Sequence, residues 1–361
     1  MSEPLRPSRC PSPECTSRAP RTTSKEPAIL LHSLLRTRQG TRRRFRCRHC
    51  GKTFTARNET AYHRLRSSPE RFERAVHMLI EGASKAAVAR TARVSPSTIT
   101  RWQERAAKHS QRVFDKVARD LQVEELQADE VRGYAHHKTN RQFVFTMVET
   151  GARFWLSATV GPRTLRNTRI LARDSRSRCA FGQERVLIVT DPFKYYGQEF
   201  KRAWGPTCVH VESSKIIRGG RVVRVRNTLV HGAPWHLEAA RERCTASRKI
   251  NTAFVERLNL FIRRSLACMQ RKTNAAARTG QKLREAIELL RCYYNFVRPH
   301  GSLKYGGICR TPAEIAGLVT RRLCWRDVFM AFSPTATVPW IKDEAVRKKW
   351  REQWSCPGNN S

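Results

Sequence analysis

The sequence predicts an α/β protein in three parts: a small cysteine module, a helical unit, and a larger domain in which strands and helices alternate. Three observations predict it. Cys47 and Cys50 are separated by two residues in TRRRFRCRHCGKTF. Apolar residues between Ser68 and Ser110 recur at helical spacing. From Leu126 onward, runs with strand periodicity alternate with helical runs. The 361 residues leave room for two or three domains, and 40% are hydrophobic, enough to bury real cores and exclude disorder throughout.

Charge narrows the partners. There are 70 Lys and Arg against 30 Asp and Glu, a formal net charge of +40. Such an excess points to a polyanion and to nucleic acid bound by counterion release from phosphates. No run approaches the ~18 apolar residues of a membrane span, and the N-terminal MSEPLRPSRCPSPEC has no apolar stretch of signal-peptide type. A soluble, intracellular chain is expected, with no membrane partner. Its twelve cysteines then read as reduced thiols or metal ligands rather than disulfides.

The first part, residues 1–60, reads as a zinc knuckle. Cys47 and Cys50 bring two thiolates to one ion, Gly51 relaxes the backbone, and Thr53 and Phe54 begin a return strand. Cys10 and Cys15, in a looser C-x4-C loop, are the candidates to complete a four-cysteine Zn²⁺ site, with His32 or His49 as substitutes. Residues 61–112 follow. Phe72, Ala75, Val76 and Leu79 share one buried helix face. Ser84 caps a second helix, the chain breaks at Arg93 and Val94, and Ser95-Pro96 opens a third. Ile99 and Trp102 face inward, leaving Ser97, Thr98, Arg101 and Arg105 outward. This is a helix-turn-helix whose second helix suits the major groove of double-stranded DNA; a plain helical hairpin is the bland alternative.

Residues 120–318 form the third part. Runs at 126–135, 141–149 and 152–160 are strand-like, joined by HHKTN and TG. A helix near 163–176, the strand ending in VLIVT, a helix at 195–203, a short strand from Cys208 to Val211, and helices from Asn251 and Gly280 follow. The order β-β-β-α-β-α-β-α is that of an RNase H-like fold. The stretch around 215–230, with Arg218, Arg221 and Arg224, is expected to be an exposed loop against a phosphate backbone. Residues 319–361 are a basic C-terminal extension.

Acids are scarce here, and three stand out. Asp129 lies in the first strand, Asp191 ends VLIVTD, and Glu256 opens the helix INTAFVERLNLFIRR; they are 62 and 65 residues apart. Wide separation suits carboxylates that converge from different elements on two divalent cations, Mg²⁺ or Mn²⁺, for phosphodiester displacement. Thr252, Glu256, Asn259 and Arg263 share one polar helix face beside the apolar Val255, Leu258, Ile262 and Leu266. Glu130 rivals Asp129, and strand alternation lets only one of them enter the site.

ADE at 128–130, TDPFKYY at 190–196, NTAFVERLNLFIRR at 251–264 and YYNFVRPHGSLKY at 293–305 resemble the DDE transposases of bacterial insertion sequences, closest to the insertion-sequence-one type. The resemblance runs from Cys10 to about Ala316. It implies Asp129, Asp191 and Glu256 as the metal-binding triad, with Asn259 and Arg263 beside it, and Cys10, Cys15, Cys47 and Cys50 around zinc. It further implies hydrolysis at transposon ends, attack of the freed 3′-hydroxyl on target DNA, homo-oligomers on paired ends, and a cytoplasmic, nucleoid-associated location. Two other readings remain: an inactive or domesticated DNA-binding protein of the same fold, and a nuclease acting on RNA–DNA hybrids. Tyr195, Tyr196, Tyr293 and Tyr294 are assigned to packing or DNA contact, and His300 to an ordinary hydrogen-bonded histidine.

Overall fold

The computed structural model describes residues 7, 9–18, 28–180, 184–244, 246 and 249–334. Most of the basic C-terminal extension, 335–361, lies outside the described residues.

The first element is a small antiparallel sheet. Strand β1 (Ile29–Thr37) pairs with β2 (Gly40–Cys47), and β2 with β3 (Thr53–Thr55). Ile29, Phe45 and Phe54 meet Cys10, Cys15 and Cys47 in a separate core too small to stand on apolar burial alone.

Three helices follow, each capped as its sequence requires. Helix α1 (Pro69–Ile80), α2 (Lys85–Thr91) and α3 (Pro96–Val117) begin after Ser68, Ser84 and Ser95, whose hydroxyls accept from the amides of Arg71, Ala87 and Thr98 at 3.3, 3.2 and 3.2 Å. Arg93 turns the chain between α2 and α3 at a φ of 48°. The inward residues of α1 are all buried, as are Ile99 and Trp102.

Strands β4 (Glu125–Ala135), β5 (His137–Glu149) and β6 (Phe154–Gly161) form an antiparallel meander; β5 begins immediately after His136, so the turn is shorter than HHKTN. Helix α4 (Leu165–Arg178), strand β7 (Val186–Thr190), helix α5 (Tyr196–Trp204), strands β8 (Cys208–Arg218) and β9 (Arg221–His231), and helices α6 (Pro234–Arg243), α7 (Ala253–Ser265) and α8 (Gly280–Cys292) come next. The sheet is mixed, in the order β6-β5-β4-β7-β8-β9, with β4, β7 and β8 parallel. Val186 and Ile188 face α4 and α5, whereas Leu187, Val189, Val209 and Val211 pack on the α6 side. Helix α7 lies against β4 and β5, and α8 against β6 and α3.

The basic stretch at 215–230 is not a loop. It is the outer part of a long β8–β9 hairpin, turned at Gly219 and Gly220, whose φ angles of 56° and 75° suit a primed two-residue turn that side chains disfavour. Alternating Val and Arg extend the pairing beyond the short strand expected at 208–211.

The start of the expected extension is also structured. One cluster of buried side chains runs from Ala61 to Phe329 and includes Val319, Leu323, Trp325 and Val328. Helix α9 (Pro312–Ile315) precedes α10 (Trp325–Met330), and Phe329 packs edge-on against Tyr62 and Phe72 of the helical unit at 6.0 and 5.2 Å between ring centroids. No helix among the described residues is long and apolar enough to cross a membrane.

Replacing Phe329 with Ala is expected to lower the unfolding free energy by about 3–5 kcal/mol in urea denaturation, the usual cost of a truncated buried ring. A loss below about 1 kcal/mol would show that α10 adds nothing to this core.

Candidate active site

Strand β4 sets the site. Its side chains alternate, so Glu125, Gln127 and Asp129 project to the α7 face and Glu130 to the other. Gln127, fully buried, accepts through Oε1 from the amides of Phe254 and Val255 at 2.9 and 3.2 Å and donates to Glu125 Oε1 at 2.8 Å. The first free amides of α7 are thereby satisfied by a side chain from the sheet. One turn on, Asn259 donates through Nδ2 to Asp129 Oδ2 at 2.7 Å, while its Oδ1 accepts from Thr146 Oγ1 at 3.0 Å. Glu130 instead accepts from Tyr196 at 2.7 Å and pairs with Arg163 on the opposite face. Asp129 is the member of the pair that enters the site.

Asp191 follows the last residue of β7, and Glu256 lies in the first turn of α7. Burial pushes Asp129 up to about 7, against the Glu130 amide that lowers it, and the charge of Asp191 adds to the rise. Asp191 is raised by burial and then by Glu256, although Lys215 and Thr252 oppose this. Asp129 feels the charge of Asp191, and Asp191 that of Glu256, so Asp191 lies within electrostatic reach of the other two. Glu256 Oε1 accepts from Thr252 Oγ1 at 2.8 Å and is ion-paired with Lys215 of β8. Lys215 is held above its ordinary value by Glu256 and feels both aspartates as well. Arg263, half-buried on the same helix, pairs with no carboxylate among the described residues, and its pKa is lowered by burial and then by Arg271.

Residues that sequence reasoning missed are Gln127 and Lys215. The i, i+2 spacing of Gln127 from Asp129 was the available signal for the first. Nothing in a run of cations distinguished the second.

The four cysteines converge. Cys10 Sγ lies 3.6 Å from Cys50 Sγ, Cys15 Sγ 3.6 Å from Cys47 Sγ, and all four sulfurs fall within 4.8 Å of one another. A tetrahedral ion with bonds of about 2.3 Å needs sulfur separations of about 3.8 Å, so the group can hold one metal ion. Burial raises Cys47, but the amides of Cys50 and His49 and hydrogen bonds from the Cys15 and Cys50 thiols together leave it at about 7, within reach of the thiolate a metal requires. Among the described residues no second group of three such donors closes this tightly.

The outward residues of the helical unit divide. Ser97 and Arg101 are exposed and Thr98 is partly so. Arg101 lines a groove of about 440 Å³ with His63, Lys108 and Arg112. Arg105, expected outward, is half-buried and donates to the carbonyls of Ala61 and His63, which hold it to the fold. On the hairpin, Arg218 and Arg221 face each other across the turn and Arg224 follows; all three are exposed. His300, half-buried and within 3.1 Å of the Tyr294 carbonyl, is pushed down to about 4 by desolvation and is an ordinary packed histidine. Tyr196 and Tyr293 bond to Glu130 and Glu81.

The raised Asp129 fixes the sign of a pH effect. Between its ordinary value of 3.8 and about 7 the folded chain keeps a proton that the unfolded chain has released, so this group's contribution falls as pH rises through that window. Without added Mg²⁺ or Mn²⁺, Asp129→Asn is expected to be more stable than the wild type at pH 8 by about 2 kcal/mol, with the advantage shrinking toward pH 4. Urea titrations across this range check it, and parallel pH profiles for the two proteins would refute the raised value.

Purified protein is expected to carry one zinc per chain, and Cys47→Ser to lose it and unfold the β1–β3 module. Metal content by elemental analysis and near-ultraviolet dichroism read both effects; unchanged zinc in the variant would remove Cys47 from the site. In comparisons with known proteins, no family model and no curated protein matches the chain.

Proposed function

We propose that the chain is a DNA transposase: an RNase H-like nuclease core that cuts a phosphodiester at the ends of a mobile element and joins the freed end to target DNA. The observation that carries this is the placement of Asp129, Asp191 and Glu256 in the middle of β4, just past the end of β7 and in the first turn of α7, with Lys215 paired to Glu256 and within electrostatic reach of both aspartates. An antiparallel meander beside two further parallel strands, in the order β6-β5-β4-β7-β8, supports the RNase H-like reading.

The donor set fits a hard divalent cation. It is made of carboxylate oxygens; burial and a neighbouring carboxylate disfavour the charged forms of Asp129 and Asp191, and Lys215 is the nearby cation. Asp129, Asp191 and Glu256 would hold Mg²⁺ or Mn²⁺, which when bound supplies charge neutralisation at the phosphate and a more acidic water. The chain's own residues do the rest. Asn259 holds Asp129 in one orientation, Thr252 does the same for Glu256, and Arg263, with no carboxylate partner among the described residues, offers a guanidinium to a phosphate oxygen. Hydrolysis frees a 3′-hydroxyl, which then displaces an oxygen of a target phosphodiester with no covalent protein intermediate.

Recognition is assigned to α3 and the β8–β9 hairpin. Ser97, Thr98 and Arg101 suit the major groove, and Arg218, Arg221 and Arg224 suit phosphates, giving sequence reading and salt-dependent affinity respectively. The four cysteines would hold Zn²⁺ as a structural ion, and paired ends imply a homo-oligomer on double-stranded DNA.

Labelled DNA carrying the sequences that flank the gene tests the reading, with Mg²⁺, with EDTA and with Asp191→Asn. Cleaved and joined products are expected only with metal and Asp191, and the variant is expected to lose roughly 10²–10³-fold or more in rate while still binding ends. Specific end binding with no cleavage in Mg²⁺ or Mn²⁺ would reduce the protein to a DNA-binding one.

A further inference from the structure

Lys215 is the one described cation that reaches the carboxylates of the site. It sits in the middle of β8, bonded to Glu256, in electrostatic contact with Asp191 and Asp129, and its side chain is 39% exposed. The one acid on its own two strands is Glu212, three residues back and so on the other face of β8, and from Ser213 to Leu237 the chain contains none. Its cross-strand partner is Val225, which offers the ammonium nothing. The carboxylate that it holds is the only one of the three carried on a helix. With Lys215 in place, Glu256 already has two donors on Oε1, Thr252 and the ammonium.

We propose that Lys215 is a tethered counter-ion of the triad: it weakens divalent-cation binding in the free protein, and a DNA phosphate entering the site draws the ammonium from Glu256, so that metal and DNA bind cooperatively. This rests on the reading of the triad as a metal site. The physical requirement is that one positive charge be exchanged for another. A bound ammonium offsets part of the negative charge that attracts Mg²⁺ or Mn²⁺, and it competes for an oxygen of Glu256. A phosphate offers the same ammonium an anion of equal kind, and the half-exposed side chain has a solvent route away from Glu256. Any ligand pair coupled in this way is coupled reciprocally: metal tightens DNA binding by the factor by which DNA tightens metal binding.

The test measures Mn²⁺ binding by electron paramagnetic resonance, with and without a short duplex, in the full chain. The proteins are wild type, Lys215→Met, Lys215→Arg and Asp191→Asn; the part of the binding lost in Asp191→Asn is the triad's own, separate from the zinc site and from the duplex. Lys215→Met keeps the length and apolar stem, and thermal unfolding checks that it folds. In the wild type, the duplex is expected to tighten triad binding about tenfold. Lys215→Met is expected to bind Mn²⁺ about tenfold more tightly without DNA and to gain little from the duplex, with Lys215→Arg restoring the wild-type pattern. Equal or weaker Mn²⁺ binding by folded Lys215→Met, with Asp191→Asn still abolishing it, would overturn the counter-ion and leave the metal site standing. Mn²⁺ binding unaffected by Asp191→Asn would overturn both.

Discussion

The buried carboxamide of Gln127 ties the sheet to the helix on which the rest of the site depends. Strand β4 offers side chains to α7 every second residue, and α7 returns them every three or four, so the two periodicities can mesh only at one axial position and rotation of the helix. Gln127 selects that position by accepting from the Phe254 and Val255 amides. Once the first turn is fixed, Glu256 and Asn259 have no freedom to choose another direction, and the second contact, Asn259 to Asp129, closes one turn later. A buried amide left unpaired would be costly, so the clamp resists sliding in either direction.

Asp174, Asp129 and Asp191 are all partly buried in this strongly basic chain, and their electrostatics separate them. Asp174 lies between α3, α4 and α8, where it meets Arg178 at 2.7 Å and Arg291 at 3.9 Å; burial pushes it up, but the two guanidiniums hold it below its ordinary value. It is a structural acid, charged and matched. Asp129 and Asp191 are raised, because the nearest charges include one another and only one lysine reaches them. In a chain of +40 that shortage of cations at one place is a local feature of the fold, since arginine is abundant everywhere else. Burial also raises Glu125 and Glu149, so the raised carboxyl supports the proposed chemistry of Asp129 and Asp191 only together with their places in β4 and past the end of β7, beside Lys215.

Much of this was legible in the sequence because it follows from period and punctuation. Ser84 and Ser95-Pro96 located α2 and α3, the apolar run from Val186 located β7, and the face Glu256-Asn259-Arg263 followed from helical spacing alone. Strand alternation said that only one of Asp129 and Glu130 could enter the site; choosing between them required Tyr196 and Arg163, which lie far along the chain. The β8–β9 hairpin was misread because exposed Val and Arg alternate on both faces of a ribbon that covers no core, so the pattern lacks the apolar face by which strands are recognised. Lys215 was invisible for a different reason, and Gln127 was marked only by its spacing from Asp129: each is an unremarkable residue type whose role exists only in contact with another element.

The placement of α10 has a consequence for the order in which the molecule comes into being. The ring of Phe329 completes a core begun by Tyr62 and Phe72, and the Val328 carbonyl meets His109 of α3 at 3.1 Å. A chain emerging from the ribosome therefore exposes the apolar side of its helical unit throughout synthesis of the α/β domain, and seals it only when the final tenth of its 361 residues arrives. Contacts separated by more than 250 residues make this closure a late and slow event. A truncated product keeps the whole triad in its sequence and still lacks the finished surface that α3 presents, so incomplete synthesis yields a chain unable to hold that surface in its final form.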